Sequence, residues 1–159
     1  MDKSKTKIKF TVSYDGSNYC GWQKQKHGPL KSVAHVIEDA ISSILNEKIK
    51  LFASGRTDAG VHAVNQVCHF ETTKPESFFY KIDFSWAIKS KLPATITIKD
   101  AWIASPEFHA TISATHKTYR YIIHNHERQS PFLHRYAHWV RHTLDMDYLN
   151  ELSRRVLGT

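Results

Sequence analysis

Acidic side chains are in short supply in these 159 residues. Only 15 Asp and Glu stand against 22 Lys and Arg, a formal charge of +7 with histidine neutral. That imbalance points to a polyanionic partner, nucleic acid or a membrane surface. Cysteine is scarcer still: Cys20 and Cys68 are too few for a disulfide scaffold. Neighbours on a strand point to opposite faces, so Cys68 and His69 do not make a nucleophile–base pair. There is no signal peptide and no apolar run long enough to span a bilayer. A reduced, cytoplasmic protein with no membrane partner is expected. Eleven histidines are present, yet only His124 with His126 and His134 with His138 have tempting spacings. Neither pair comes with a cysteine set or an HExxH helix, so no metal is expected.

What is there is ordinary globular material, 41% hydrophobic with few glycines and prolines. The length suits one domain, or a large domain with a tail. Four Trp, seven Tyr and eight Phe suit base stacking as well as cores.

After a polar, lysine-rich lead-in, Ile8, Phe10, Val12 and Tyr14 alternate with Lys9, Thr11 and Ser13, which predicts a half-buried strand. Asp15-Gly16 supplies a turn. In the irregular stretch 17–29, Tyr19 and Trp22 interleave with Lys24 and Lys26. That mixture suits nucleic-acid contact, and it equally suits two aromatics capping the core beside solvated lysines. Ser32 is a candidate N-cap. Val33, Val36, Ile37, Ala40, Ile41, Ile44 and Leu45 then recur at helical spacing. Strands are expected over 49–54 and 66–72, a helix within 77–91 with Phe78, Ile82, Trp86 and Ile88 inward, and a strand over 95–101. A further strand over 116–124 carries Tyr119, Tyr121 and Ile123 on one side. The order is the ferredoxin-like βαββαβ pattern with an added strand: an antiparallel α+β sheet with helices on one face and the other face open. A basic, aromatic stretch at 134–141 and a helix at about 147–157 follow.

Between the strands at 49–54 and 66–72 stands Gly55-Arg56-Thr57-Asp58-Ala59-Gly60-Val61-His62. Two glycines are enough to turn a hairpin. On a tight turn, Arg56 and Asp58 can converge on one mouth, the guanidinium keeping the carboxylate ionised. A lone Arg-x-Asp reads as a solvated pair worth at most ~1 kcal/mol. The whole octapeptide does not.

That octapeptide resembles the catalytic motif of the tRNA pseudouridine synthase A family. The match extends to Tyr14-Asp15-Gly16, Tyr19, Gly21-Trp22-Gln23 and Gln25, and to Phe108-His109-Ala110 continuing through Ser113-Ala114-Thr115 to Tyr119-Arg120-Tyr121. The resemblance implies a synthase that detaches uracil from its ribose, rotates it and rejoins it through carbon, with no cofactor. Asp58 is then the nucleophile, Arg56 its ion partner, and Tyr119 the aromatic against the target base. His109, Arg120, Tyr19, Trp22 and Lys24 become substrate contacts. The implied substrate is the anticodon stem-loop of tRNA and the implied working unit a homodimer. Residues 1–124 would form a ferredoxin-like catalytic subdomain, and 125–159 a connection to a C-terminal half. Two features depart from the family pattern. Thr111 stands where arginine is usual, and relatives continue well beyond Thr159. The chain therefore resembles the first half of a two-subdomain synthase, expected to turn over barely or not at all by itself. The other readings are a non-catalytic RNA-binding module, for which the RNP consensus is missing, and an inactive N-terminal fragment.

Overall fold

The alternation at residues 8–14 produces the strand around which the first sheet is built. The computed structural model describes residues 5–23 and 29–158 and divides into two compact units, Met1–His116 and Lys117–Thr159. Lys24, an expected RNA contact, lies outside the described residues.

In the first unit, β1 (Thr6–Tyr14) buries Ile8, Phe10, Val12 and Tyr14. It pairs antiparallel with β3 (Ala63–Thr72) and with β4 (Ile96–Ile103). β2 (Phe52–Ala53) pairs antiparallel with β3, giving the order β2-β3-β1-β4. Thr11 faces Asp100 while Val12 faces Ile98, so Lys99 is bulged out of the ladder. The bulge keeps Ala101 and Ile103 beside Phe10 and Ile8 and sends Trp102 to the opposite face. α1 (Val33–Leu45) begins where Ser32 Oγ accepts the His35 N–H at 3.2 Å, and ends at Asn46 in the left-handed region, φ 51°. Its buried Val33, Ile37, Ile41 and Leu45 join the strand residues in one core. Each contributes about 1.5–3 kcal/mol relative to exposure.

Three expected elements differ. Only Phe52–Ala53 of the strand at 49–54 is in the sheet. Just before it, the Ile49 and Leu51 N–H groups donate to Ser42 Oγ and Glu38 Oε1 of α1 rather than to a strand. The helix at 77–91 is two short helices, α2 (Glu76–Phe79) and α3 (Phe84–Lys89). Asp83 caps the second by accepting the Trp86 N–H at 2.9 Å, which restarts the helix in a new phase. Phe84 and Ile88 go inward, and Trp86, expected to be buried, is 70% exposed.

The strand expected over 116–124 is the third. Residues 116–122 carry no strand. In the second unit, β5 (Ile123–Asn125) pairs with β6 (His138–Val140) in a separate, parallel two-stranded sheet. Tyr119 and Tyr121 are exposed. Alternation marks a segment fit to be a strand but does not supply the neighbour that it must pair with. Asn125 ties this unit together. Its Nδ2 donates to the Val140 and His142 carbonyls at 2.8 and 2.7 Å, and its Oδ1 accepts the Leu144 N–H at 3.2 Å. α4 (Met146–Arg155) follows, capped by Asp145.

Candidate active site

The loop between β2 and β3 is held from both sides. The Ser54 N–H donates to the Val67 carbonyl at 2.8 Å, closing its base. The buried Tyr14 hydroxyl lies 2.7 Å from Thr57 Oγ1 and donates to Gln66 Oε1 at 3.0 Å. Tyr14 has one proton to give, so Thr57 is the donor in their contact. Gln66 Nε2 in turn donates to the Gly55 carbonyl at 3.2 Å. Burial pushes the Tyr14 phenol up to about 12, opposed by its bond to Thr57. It therefore stays a neutral donor at any working pH.

The second clamp comes from the segment after β1. The Trp22 N–H donates to the Thr57 carbonyl at 2.9 Å. Gly21, at φ 98°, would place an added Cβ 2.7 Å from the Thr57 carbonyl oxygen. A Cβ on Gly16 would collide with the Val61 carbonyl. Two glycines thus let the chain after β1 lie directly against the backbone of the Arg-Thr-Asp loop. His62 closes the far end: its Nδ1 is 3.1 Å from Asp15 Oδ1 and 3.2 Å from the Gly16 N–H. The two contacts require opposite protonation of that nitrogen.

Asp58 and Arg56 themselves are exposed. The ion pair expected between them is absent among the described residues. Residues 55–58 carry no turn. The turn falls at Ala59-Gly60, where the Val61 N–H reaches the Asp58 carbonyl at 3.2 Å. Arg56 and Asp58 are therefore not folded onto each other. The result is a carboxylate and a guanidinium presented to solvent from a loop with a fixed backbone.

Tyr19 and Trp22, expected to contact RNA, are a correction. They are 8% and 5% exposed, and a ring with so little surface has no face to offer a base. Asp15 accepts the Ser17 N–H at 2.9 Å and starts a single 3-10 turn, Gly16–Asn18, that folds this segment over the end of β1. The Tyr19 hydroxyl then meets Thr95 Oγ1 at 2.6 Å, and the Trp22 ring packs 5.9 Å from that of Tyr14. Both aromatics cap the core and support the loop.

His109 is half-buried, its ring edge-on to His69 at 4.7 Å and to Phe52 at 5.2 Å. His69 Nδ1 accepts the Ala110 N–H at 3.1 Å, and burial lowers that imidazole to about 4, with His109 adding to the shift. Thr111 donates its hydroxyl to the Ala53 carbonyl at 2.8 Å. Tyr119 (80% exposed) and Arg120 lie in the second unit with their side chains in solvent. Burial raises the Cys68 thiol, which removes it as a nucleophile. The sequence reading missed Tyr14, Thr57, Gln66 and His69 as parts of the site. For Tyr14, Gln66 and His69 the available signal was polar atoms placed among the apolar positions of two central strands; Thr57 lies in the loop itself.

A profile of a tRNA pseudouridine synthase family matches residues 11–111, which include both clamps and the loop. A protein named tRNA pseudouridine synthase A from Bdellovibrio bacteriovorus is 59% identical over 153 residues, covering 96% of this chain and 58% of the relative. The proteins of that name from Caldicellulosiruptor saccharolyticus and a Synechococcus species are 45% and 38% identical. They are matched over 95% and 96% of this chain and over 60% and 51% of their own lengths. The chain thus spans little more than half the length of these relatives. It belongs to the tRNA pseudouridine synthase family.

Proposed function

We propose that the chain carries the nucleophile of an enzyme that isomerises uridine to pseudouridine in tRNA, and that the nucleophile is Asp58. The observation behind this reading is the contrast within the loop. Its backbone is fixed by Tyr14, Gly16, Gly21 and Trp22, while the Asp58 carboxylate is free in solvent. A nucleophile is useful when it is aimed and accessible.

In the proposed reaction the Asp58 carboxylate attacks the ribose carbon that holds uracil, and the bond to uracil N1 breaks. The freed base turns, its C5 attacks the same carbon, and the carboxylate leaves. C5 loses its proton and N1 gains one, so the product is an isomer and no electrons are transferred. Arg56 holds the negative charge near the reacting atoms. Tyr119 stacks on the flipped base, with His109 and Arg120 as further contacts. Flipping costs a few kcal/mol, and stacking at about 1–3 kcal/mol per base is of the size needed to offset it.

The reading extends to the anticodon stem-loop of tRNA as substrate, a cytoplasmic setting and a homodimer. A helix long and apolar enough to cross a membrane is absent among the described residues. The succession βαββαβ with strand order β2-β3-β1-β4 supports a ferredoxin-like catalytic subdomain within residues 1–124. Residues 125–159 then lead toward a second half.

The test is tritium release from tRNA carrying uridine tritiated at C5. The assay uses residues 1–159 both alone and continued by the remaining portion of the Bdellovibrio relative. Asp58→Ala and Asp58→Asn are expected to abolish release while leaving tRNA affinity within about twofold. Release near the parent rate by either variant would remove Asp58 as the nucleophile.

A further inference from the structure

Four side chains stand in register across the first sheet, on the face turned away from α1. Phe52 pairs with His69, His69 with Lys9, and Lys9 with Trp102, so the row crosses every strand of the sheet. The middle of the row is sealed. Phe108 lies edge-on to His69 at 5.8 Å, His109 covers His69 and Phe52, and His69 is buried. The β4 end is open. Trp102, on the edge strand, is 48% exposed. Lys9 Nζ stands 5.9 Å from the centre of the Trp102 ring and 5.0 Å from that of Phe108. Together with Ser105, these three line a recess of about 320 Å³.

We propose that this recess is an RNA subsite in which an unpaired base stacks on Trp102 and its phosphate pairs with Lys9. The proposal rests on the reading of the chain as a tRNA-modifying enzyme. The recess lies at the small end of the range for ligand sites, roughly 300–1,000 Å³. Its chemistry is one broad aromatic face, one cation and one hydroxyl, a set that matches the base, phosphate and sugar of a single nucleotide. Asp100, the carboxylate next along β4 on this face, is opposite Thr11 one row away and does not line the recess. Lys9 is half-buried and lines the recess, where its ammonium can meet an anion. Along β1, Lys9 stands five positions from Tyr14, which holds Thr57. At about 3.3 Å per residue that is roughly 17 Å, within reach of one RNA hairpin engaged at Asp58.

The test is tRNA affinity, at one salt concentration for Trp102→Ala and Trp102→Tyr and across a salt series for Lys9→Gln and the parent, with circular dichroism to check the fold. Trp102→Ala is expected to weaken binding about tenfold, the loss of one stacked base. Trp102→Tyr, which keeps a ring, should stay within about threefold. Lys9→Gln is expected to weaken binding and to reduce the slope of log affinity against log salt by about 0.7, one phosphate contact to single-stranded RNA. A folded Trp102→Ala that binds like the parent, or an unchanged salt slope in Lys9→Gln, overturns the subsite. Affinity is read without turnover, so the two proposals fail separately. A parent continued by the remaining portion of the Bdellovibrio relative that binds tRNA without releasing tritium removes the proposed reaction. A parent that releases tritium while Trp102→Ala binds normally removes the subsite alone.

Discussion

Gly21 lies directly against the backbone of Asp58: a Cβ added there would stand 3.0 Å from the Asp58 carbonyl carbon. At φ 98° this position also disfavours any L side chain, at about 1–2 kcal/mol. Gly21→Ala should therefore both strain its own backbone and push residues 57–59 outward. The expected outcome is a loss of about 1–3 kcal/mol in denaturant stability. Tritium release should fall by at least about tenfold, because a displaced carboxylate loses its aim. Binding of tRNA should change little. A variant with parental stability and parental turnover would show that the contact is slack.

How much of this was readable in advance depends on how local each feature is. α1 was legible from its cap and its repeat, since Ser32 and the spacing of Val33, Ile37 and Ile41 act within four residues of each other. β1 was legible from its alternation. The octapeptide marked the loop, but nothing local says that Gly16 and Gly21 press against it from some forty residues away. Tyr19 and Trp22 show the same limit. Aromatics interleaved with lysines look alike whether they cap a core or line an RNA surface, and only the 3-10 turn after Asp15 decides. In α3, the cap at Asp83 resets the phase, so extending one helical repeat through the region puts Trp86 inside and leaves Phe84 out. At 116–124 the pattern was present and the partner strand was not.

His69 gives a pH prediction whose sign is fixed by burial. Its folded value is lowered to about 4 from an ordinary 6.5, so the folded chain binds fewer protons than the unfolded chain between those limits. Stability from keeping this ring neutral is present above pH 6.5 and is lost as pH falls toward 4. The full loss is about 3 kcal/mol. His109 and Lys7 nearby push the same way, and Glu71 opposes them. His69→Asn keeps an acceptor for the Ala110 N–H without the titration. Urea midpoints from pH 7 to pH 4.5 should drop more for the parent than for His69→Asn. Equal slopes in the two proteins would mean that His69 does not govern the acid limb.

Arg56 gives the last prediction, and it follows from an ion pair that the fold does not make. The guanidinium is exposed, and it forms no ion pair with Asp58 among the described residues. A surface arginine in that state contributes little to folding, within about 0.5 kcal/mol. Arg56→Ala should leave the melting temperature almost unchanged, so any loss of turnover cannot be assigned to a damaged fold. If Arg56 meets the RNA only as negative charge develops on the departing uracil, kcat falls and KM stays. If it holds a phosphate equally in ground and transition states, KM rises instead. The fork geometry of the guanidinium separates these further. Lysine at this position restores charge but not a bidentate contact, so Arg56→Lys should keep the parental KM without recovering kcat. The expected outcome is the fall in kcat, by about a hundredfold, the scale for one well-placed stabilising group. A variant that keeps its kcat and loses only affinity would move Arg56 from the reacting centre to the RNA backbone, leaving Asp58 to act without it.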